Sequence, residues 1–236
     1  MKTGTQDTEL APDAALEAAV AAAEAARWQR FFVDRTRPVP FFGLAPDENL
    51  AQWLDDGAIA PGTALDIGCG NARNALLLAR RGFAVTAIDY SDSAIAWARD
   101  EIAKAGVAVD LRHGSIFDLE LAPAALDLVY DSGCFHHIEP RRRERYVRLV
   151  ADALKPGGQF GLVCFAPEGG SDMTDAEVYE RGTLGGGLGY DEARLREIWS
   201  ADFEILELRR MRELPPGGPL FGRGFLWTML ARRRSA

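Results

Sequence analysis

The stretch TALDIGCGNARNALLLARRGFAVTAIDY, residues 63–90, predicts the central unit of the fold. A short apolar run ends at the glycine turn Gly68-Cys69-Gly70, and apolar residues then recur at helical spacing as far as Gly82. A second apolar run, residues 83–88, ends in Asp89. The pattern indicates a strand, a glycine turn, a helix and a second strand with a carboxylate at its tip.

The position of Asp89 indicates a nucleotide ligand. In βαβ units that bind nucleotides, glycines in the first turn let backbone N–H groups approach the ligand. An acid at the tip of the second strand accepts hydrogen bonds from the ribose hydroxyls. Asp89 follows Gly70 at the spacing of about 20 residues that this role requires.

Asp66 and Arg73 discriminate between possible nucleotides. A dinucleotide fingerprint needs a third glycine at the position where Arg73 stands, and its pyrophosphate sits at the helix N-terminus. Asp66, two residues before the first glycine, opposes a pyrophosphate and favours an ammonium or a sulfonium. These residues predict an adenosine ligand with a cationic tail, such as S-adenosylmethionine, and disfavour a nicotinamide dehydrogenase.

Several motifs together resemble class I S-adenosylmethionine-dependent methyltransferases. Asp66-Ile67-Gly68-Cys69-Gly70 followed by Asp89 is similar to the first motif and the ribose acid of that family. Three further segments resemble its later motifs in the right order: GSIFD at 114–118, DLVYD at 127–131 and LKPGG at 154–158. The stretch from Trp28 to Leu50 resembles small-molecule methyltransferases of the thiopurine and tellurite type.

Two positions depart from the family's pattern. Ala72 stands where a third glycine is frequent, and Ser115 stands where an acid often reaches the adenine amine. We therefore expect the backbone of Ile116, more than the side chain of Ser115, to contact the adenine.

The resemblance implies an α/β fold, a Rossmann-like doubly wound, seven-stranded and mostly parallel sheet. Its strand order is 3-2-1-4-5-7-6, its last strand is antiparallel, and an N-terminal helical cap covers it. The predicted organisation is a disordered tail at 1–12, a helical cap or lid at 13–58 and a methyltransferase domain at 59–236. Within that domain a glycine-rich stretch, 166–190, is expected to be either a mobile lid or a plain surface loop.

The resemblance also implies a set of cofactor-binding residues. Asp66 is expected at the methionine ammonium, and Arg73 either at the methionine carboxylate or in solvent. Trp28 is expected either over the sulfonium or in plain packing. The full predicted set is Asp66, Gly68, Gly70, Arg73, Asp89, Tyr90, Ser115, Ile116, Asp131 and Trp28.

His136 and His137 are the candidate catalytic residues, because they follow the fourth predicted strand, where the methyl group should point. One of them is expected to be a general base, or else to pack against the sheet and bond a backbone carbonyl. If the acceptor is already ionised, positioning alone suffices. Cys134 with the two histidines lacks the spacing of a metal site, so that no metal is predicted.

The composition restricts the partners. A net charge of −8 and a pI near 5.0 argue against a nucleic-acid groove, and the basic run 141–145 is expected to be a solvated helix face. The sequence contains no run of 18 apolar residues, so no membrane span is predicted. The Ala-rich stretch 14–26 lacks the basic start of a signal peptide. An odd number of cysteines, three, suggests reduced thiols in a cytoplasm. We expect a monomer or homodimer with a small-molecule acceptor.

The predicted function is methyl transfer to an O, N or S atom of a small, aromatic or heterocyclic metabolite. Two alternatives keep the cofactor: another reaction of the sulfonium, such as an intramolecular cyclisation, and a module that binds the cofactor without turnover. A nicotinamide dehydrogenase is the least favoured alternative.

Overall fold

The structure, a computed structural model, describes residues 14–235. The disordered tail predicted for residues 1–12 lies outside the described residues. From residue 14 onward, helices and strands alternate along most of the chain. This alternation is that of the predicted α/β class.

Seven strands form a single sheet. Their bounds are β1 Thr63–Ile67, β2 Ala84–Asp89, β3 Asp110–His113, β4 Leu126–Ser132, β5 Leu154–Phe165, β6 Phe203–Arg210 and β7 Leu226–Arg233. Across the sheet they follow the order β3-β2-β1-β4-β5-β7-β6. Neighbours from β3 to β5 are parallel, and β7 runs antiparallel to both β5 and β6. The predicted strand order and the reversed last strand are confirmed.

Seven α-helices accompany the sheet in the described part of the chain. They are α1 Ala14–Phe31, α2 Glu48–Asp55, α3 Arg73–Arg80, α4 Asp92–Ala105, α5 Pro140–Ala153, α6 Asp175–Arg181 and α7 Glu192–Trp199. Single turns of 3-10 helix occur at Pro40–Phe42, Ile116–Asp118 and Phe135–His137. The first of them follows α1, and the other two lie at the carboxyl ends of β3 and β4.

The local sequence explains where α4 begins and ends. The side chain of Ser91 accepts a hydrogen bond from the backbone N–H of Ala94, which satisfies one free donor of the helix N-terminus. Gly106 ends the helix in the left-handed conformation, with φ of 65°.

Apolar side chains cover both faces of the sheet. Along β4, Val129 belongs to one buried cluster, whereas its neighbours Leu128 and Tyr130 belong to the other, as the alternation of a strand requires. The first cluster includes buried side chains of α5 and α7, and the second includes those of α2, α3 and α4. The helices therefore pack on two sides, which is the doubly wound arrangement.

A third cluster, made of aromatic side chains, attaches α1 and the segment after it to α4. Phe32, Phe42 and Trp97 are buried in it, and the Phe42 and Trp97 rings lie 5.1 Å apart in an edge-to-face contact. The partly buried rings of Trp28 and Phe31 pack against this cluster. These contacts hold α1 across the carboxyl ends of β1 and β2.

Asp47 anchors the segment between α1 and α2 to the body of the protein. Its side chain is fully buried, and its Oδ1 lies 2.6 Å from Nη1 of Arg73. Its Oδ2 accepts hydrogen bonds from Asn74 Nδ2 at 3.0 Å and from the Tyr130 hydroxyl at 2.8 Å. A buried carboxylate needs such partners, since unpaired burial of a charge is costly.

The glycine-rich stretch 166–190 contains α6, which the sequence analysis did not predict. Thr174 and Glu177 form a reciprocal capping box that begins this helix. Leu184 and Leu188 are buried beyond it. The stretch is therefore packed against the protein as it lies in this structure, and its predicted mobility stays a prediction.

β5 includes the LKPGG segment at 154–158. It begins at Leu154, which pairs with Leu126. A register shift between Leu126 and Leu128 absorbs the glycines of the LKPGG segment. The strand therefore reaches back to the end of α5 without a separate loop.

Candidate active site

A cavity of about 750 Å³ opens at the carboxyl ends of β1, β2 and β4. This is the edge where parallel α/β sheets bind ligands, and the volume falls in the range of small-molecule sites. We call the part lined by residues 66–73, 88–90 and 114–118 the glycine-turn end. We call the part lined by α1, residues 132–137, Phe165, Gly186 and Phe225 the aromatic end.

The glycines of the first turn are required by its backbone and by its neighbours. Gly68 and Gly70 have φ of 64° and 55°, a conformation that favours glycine. A Cβ on Gly68 would lie 3.0 Å from the Cβ of Cys134, and one on Gly70 would touch the Phe32 ring at 3.4 Å. The turn therefore brings its backbone close to the cavity.

Asp89 is held at the tip of β2 by backbone donors. Its Oδ2 accepts a hydrogen bond from the N–H of Gly70 at 3.0 Å, and its Oδ1 accepts one from the N–H of Ser91 at 2.9 Å. Burial raises the pKa of this carboxyl, while the two backbone donors oppose the increase. The carboxyl lines the cavity beside the glycine turn, where the sequence predicted it.

Asp66 also lines the glycine-turn end, although it is almost wholly buried. Its Oδ2 accepts a hydrogen bond from the backbone N–H of Ala75 in α3 at 3.1 Å. Burial raises its pKa to about 8, and the nearby charge of Arg73 opposes this increase. A cationic ligand group beside Asp66 would favour its ionised form.

Arg73 lines the cavity but is not solvated. Besides the ion pair with Asp47, its Nη1 donates to the carbonyl of Ala45 at 3.1 Å and its Nη2 to Ser132 Oγ at 3.1 Å. Its guanidinium also lies 4.6 Å from the centre of the Phe221 ring. Arg73 thus ties the segment before α2 to the end of β4.

Ser115, Ile116 and Tyr90 complete the wall near the glycine turn. Ser115 Oγ accepts a hydrogen bond from the N–H of Phe117, so that this side chain caps its own turn. Ile116 is buried. Burial raises the pKa of the Tyr90 phenol, which stays protonated at neutral pH.

Asp131 does not line the cavity, unlike every other residue predicted for the site. Its Oδ1 accepts from the N–H of Cys134 at 2.7 Å, and its Oδ2 accepts from the Tyr146 hydroxyl. Burial raises its pKa to about 7. In this structure Asp131 shapes the turn that carries the histidines.

The sequence pair His136 and His137 lies at the aromatic end. The His136 ring stacks on Phe165 with centroids 3.8 Å apart, and its Nδ1 accepts the backbone N–H of Phe165 at 3.3 Å. The His137 ring contacts Trp28 edge to face at 4.7 Å. Burial lowers the pKa of His136 to about 3 and holds that of His137 well below its usual range. Both rings are therefore neutral at physiological pH.

The glycine-rich stretch covers the two imidazoles. Gly187 has φ of 118°, and a Cβ there would lie 2.8 Å from His136 Cδ2 and 2.9 Å from His137 Cε1. The N–H of Leu188 donates to the carbonyl of His136 at 2.9 Å. A side chain at position 187 would push these rings aside.

A charged pair on α1 faces the aromatic end. Arg27 Nη1 lies 3.1 Å from Glu24 Oε2, and the guanidinium lies 5.1 Å from the centre of the Trp28 ring. Arg27 Nη2 also donates to the carbonyl of Gly186 at 3.5 Å. Arg27 therefore connects α1 with the glycine-rich stretch at the rim of the cavity.

Sequence reasoning missed several residues of this end. Four residues that line the cavity were assigned no role: Glu24, Arg27, Phe165 and Phe225. The one sequence feature that could have indicated any of them is the position of Phe165 at the end of the apolar run 162–165. Nothing in the local sequence distinguishes Glu24 and Arg27 from other charged residues on a helix.

Between residues 14 and 235, no cluster of His, Cys, Asp and Glu side chains has the arrangement of a metal site. In the same range, no helix combines the length and apolarity of a membrane span.

Residues 64–158 match the family of methyltransferase domains. Over 113 residues the chain is 34% identical to a ubiquinone biosynthesis O-methyltransferase of Pseudomonas paraeruginosa, an alignment covering 47% of this chain and 48% of the relative. Over 121 residues it is 28% identical to a 2-heptyl-1-hydroxyquinolin-4(1H)-one methyltransferase of Mycobacteroides abscessus, covering 51% and 53%. The chain spans about half the length of these curated relatives.

The fold is shared with a solved structure over nearly the whole chain. This is a 1,6-didemethyltoxoflavin-N1-methyltransferase of Burkholderia thailandensis, solved with 1,6-didemethyltoxoflavin and S-adenosylhomocysteine bound. The TM-score is 0.65 at 19% identity, and the match covers 97% of this chain and 93% of the other. The likeness confirms the Rossmann-like methyltransferase fold predicted from the motifs.

Proposed function

We propose that this chain, which carries a class I S-adenosylmethionine-dependent methyltransferase domain, methylates a small aromatic or heterocyclic acceptor at an O, N or S atom. The observation that supports this proposal is that one continuous cavity has two different ends. The glycine-turn end has the backbone and carboxylates for the cofactor. The aromatic end has flat apolar walls for a planar acceptor.

The geometry of the glycine-turn end fits the cofactor. Gly68 and Gly70 put backbone without side chains on the cavity wall, and Asp89 stands beside them to accept from ribose hydroxyls. We assign the adenine to Ser115 and Ile116, with the backbone of Ile116 as the main contact. Tyr90 adds to the wall on the ribose side.

The methionine part of the cofactor is assigned to the two charged residues at the start of the unit. Asp66 would hold the ammonium, whose positive charge would lower the pKa of the Asp66 carboxyl and favour its ionised form, with the proton released to solvent. Arg73 would contact the carboxylate through N–H groups that Ala45, Asp47 and Ser132 do not use. Asp131 lies outside the cavity wall and is left out of this assignment.

The cofactor, when bound, supplies an electrophilic methyl group on its sulfonium. The protein's part is to hold the acceptor in line with that group and to exclude water. Trp28 and the neighbouring aromatic side chains of α1 close the cavity above this point. Trp28 presents an aromatic face, which attracts a sulfonium cation.

We further propose that the acceptor is a free small molecule and not nucleic acid, because the chain has a net charge of −8. The three cysteines are free thiols, which suits a reducing cytoplasm. A monomer or a homodimer is compatible with this proposal.

A thermal-shift experiment with S-adenosylmethionine, S-adenosylhomocysteine and NAD tests the cofactor assignment. A ligand at 100 times its dissociation constant adds about 2.7 kcal/mol, which raises the midpoint by roughly 5–11 °C for a chain of this size. We expect this increase with both sulfur ligands and none with NAD. An increase with NAD alone would contradict the assignment of Asp66 and Arg73.

Product analysis with a panel of hydroxylated, thiol and nitrogen heterocycles then tests the reaction. Methyl transfer releases S-adenosylhomocysteine and a methylated acceptor in equal amounts. Release of methylthioadenosine would instead indicate cyclisation or another alkyl transfer. Binding of the cofactor without any product across the panel would favour the non-catalytic alternative.

A further inference from the structure

The His136 ring is held in one orientation by three contacts with two residues. Phe165 stacks on one face of the ring at 3.8 Å, and Gly187 packs beside its Cδ2 atom. The backbone N–H of Phe165 donates to Nδ1 at 3.3 Å. A neutral imidazole has one N–H and one acceptor nitrogen, so acceptance at Nδ1 places the proton on Nε2.

The Nε2 atom remains available to a ligand. His136 lines the cavity, and its Nε2 makes no hydrogen bond to any residue between 14 and 235. The ring is buried, with Arg27 as its cationic neighbour on α1 and neutral His137 on its own turn. Both burial and the positive charge of Arg27 oppose a second proton on the ring. Nε2–H therefore faces the ligand as a donor and has no lone pair to accept a proton.

The other titratable groups near the aromatic end are equally unsuited to remove a proton. Glu24 is held in the ion pair with Arg27, and Glu139, which also lines the cavity, has its Oε1 3.9 Å from Nε of Arg142. Burial raises the pKa of both Cys134 and Tyr90, so that these groups carry their own protons. Burial holds the pKa of His137 well below its usual range, which makes either nitrogen of that ring a weak base.

We propose that His136 donates a hydrogen bond from Nε2–H to the acceptor, and that the acceptor binds as an anion, an aromatic thiolate or phenolate. This proposal rests on the methyl transfer proposed above and names its substrate class. The backbone N–H of Phe165 is then a positioning group, because it selects the tautomer.

The step balances without a base. A lone pair of the anion forms the bond to the methyl carbon while the S–CH₃ bond breaks, and that electron pair stays on sulfur. The negative charge of the acceptor and the positive charge of the sulfonium cancel, and no proton is released. The hydrogen bond from His136 stabilises the anion in a largely apolar cavity until it reacts.

Histidine NMR tests the tautomer on the wild-type protein, independently of turnover. With only three histidines in the chain, long-range ¹H–¹⁵N spectra resolve each ring, and the spectrum of His136→Gln identifies its signals. We expect His136 as the Nε2–H tautomer, neutral down to about pH 5 because its pKa is about 3. A Nδ1–H tautomer, or protonation near pH 6.5, would overturn the proposal.

A thiophenol series tests the charge of the acceptor. We would use 4-nitro-, unsubstituted and 4-methoxythiophenol and measure kcat/KM from pH 5 to 9. The midpoint of each profile is expected to follow the pKa of the free thiol. One midpoint shared by all three would reveal an enzyme base and overturn the proposal. If none is methylated although the cofactor binds, the proposed acceptor class is overturned. Failure of the cofactor to bind would contradict the proposed function instead.

Two substitutions at one position separate a donor from a base. The amide N–H of His136→Gln reaches about as far as Nε2, whereas that of His136→Asn reaches only about as far as Nδ1. We expect His136→Gln to retain kcat within about 10-fold and His136→Asn to lose about 100-fold. Equal losses in both variants would indicate a lost base. The exposed His113→Gln is the control and should leave kcat unchanged.

Discussion

The two ends of the cavity are built from the chain in different ways. The glycine-turn end comes mainly from one continuous unit, β1 to β2, in which backbone N–H groups and carboxylates line the wall. The aromatic end collects Trp28, His136, Phe165, Gly186 and Phe225 from segments far apart in sequence. A binding site for a shared cofactor can be local, whereas a site for a particular acceptor depends on how distant segments converge.

The two ends also shift the pKa values of their buried titratable groups in opposite directions. Burial raises the pKa of Asp66 at the glycine-turn end to about 8, and burial lowers that of His136 at the aromatic end to about 3. In both cases burial favours the neutral form. The difference is that a cationic ligand can ionise Asp66, whereas no acidic partner faces His136 in the described part of the chain. The glycine-turn end is thus suited to a charged ligand, and the aromatic end to a neutral donor.

The largest expected effect comes from the buried ion pair between Asp47, in the segment before α2, and Arg73 at the glycine-turn end. Asp47→Ala leaves Arg73 buried without its counter-charge, which should lower the free energy of unfolding by about 3–5 kcal/mol. For a chain of this size the melting midpoint should fall by roughly 6–20 °C. The control is Asp100→Ala, which removes an exposed pair with Arg35 and should cost less than about 1 kcal/mol. Similar costs for both variants would show that the buried pair contributes little.

Asp89→Ala should act on the glycine-turn end alone. Loss of hydrogen bonds to a charged carboxylate costs about 1.5–3 kcal/mol, so the dissociation constant of S-adenosylmethionine should rise roughly 10- to 150-fold. Titration calorimetry measures it, and circular dichroism checks the fold. Asp92→Ala, an exposed acid in the next turn, should leave the affinity unchanged. An unchanged affinity in Asp89→Ala would rule out its role at the ribose.

Gly187→Ala should act on the aromatic end alone. Gly186→Ala is a matched control, because both positions have positive φ but only a Cβ at 187 overlaps the histidine rings. Relative to the control, we expect turnover to fall about 10- to 100-fold, since small displacements in a site are costly to rate. The affinity for S-adenosylmethionine should stay the same in both. A parallel loss of cofactor affinity would show that the two ends are not independent.

The opposite pKa shifts of Asp66 and His136 predict opposite effects of pH on the free energy of unfolding. The folded protein keeps a proton on Asp66 that the unfolded chain releases near pH 4, so this group's stabilisation is lost as pH rises from about 4 to about 8. Folded His136 stays neutral while the unfolded ring is protonated below about pH 6.5. Its stabilisation is therefore lost as pH falls from about 6.5 towards 3.

Urea unfolding at a series of pH values measures how the free energy of unfolding depends on pH. In Asp66→Asn this free energy should fall less steeply between pH 4 and 8, and in His136→Gln it should decline less steeply below pH 6.5. Each group changes the slope of the unfolding free energy against pH by at most about 1.4 kcal/mol per pH unit. If Asp66→Asn keeps the wild-type slope, the carboxyl is ionised in the folded protein and the contrast between the ends does not hold.

Local patterns in the sequence predicted the sheet and the residues of the glycine-turn end. The alternation of apolar runs with helical patterns, the glycines of the first turn and the carboxylate at Asp89 are local signals, because each reports the backbone conformation of its own segment. The family resemblance of the motifs then implied the strand order and the reversed last strand, which the structure confirms.

Only the tertiary structure decided the buried pair of Asp47 with Arg73, the position of Asp131 outside the cavity and the tautomer of His136. Each depends on a partner far away in sequence: Arg73 for Asp47, Tyr146 for Asp131 and Phe165 for His136. A polar side chain has several possible partners, and the sequence does not specify which of them folding brings within hydrogen-bond distance. For this reason the aromatic end, where the proposed acceptor binds, became visible only in the folded chain.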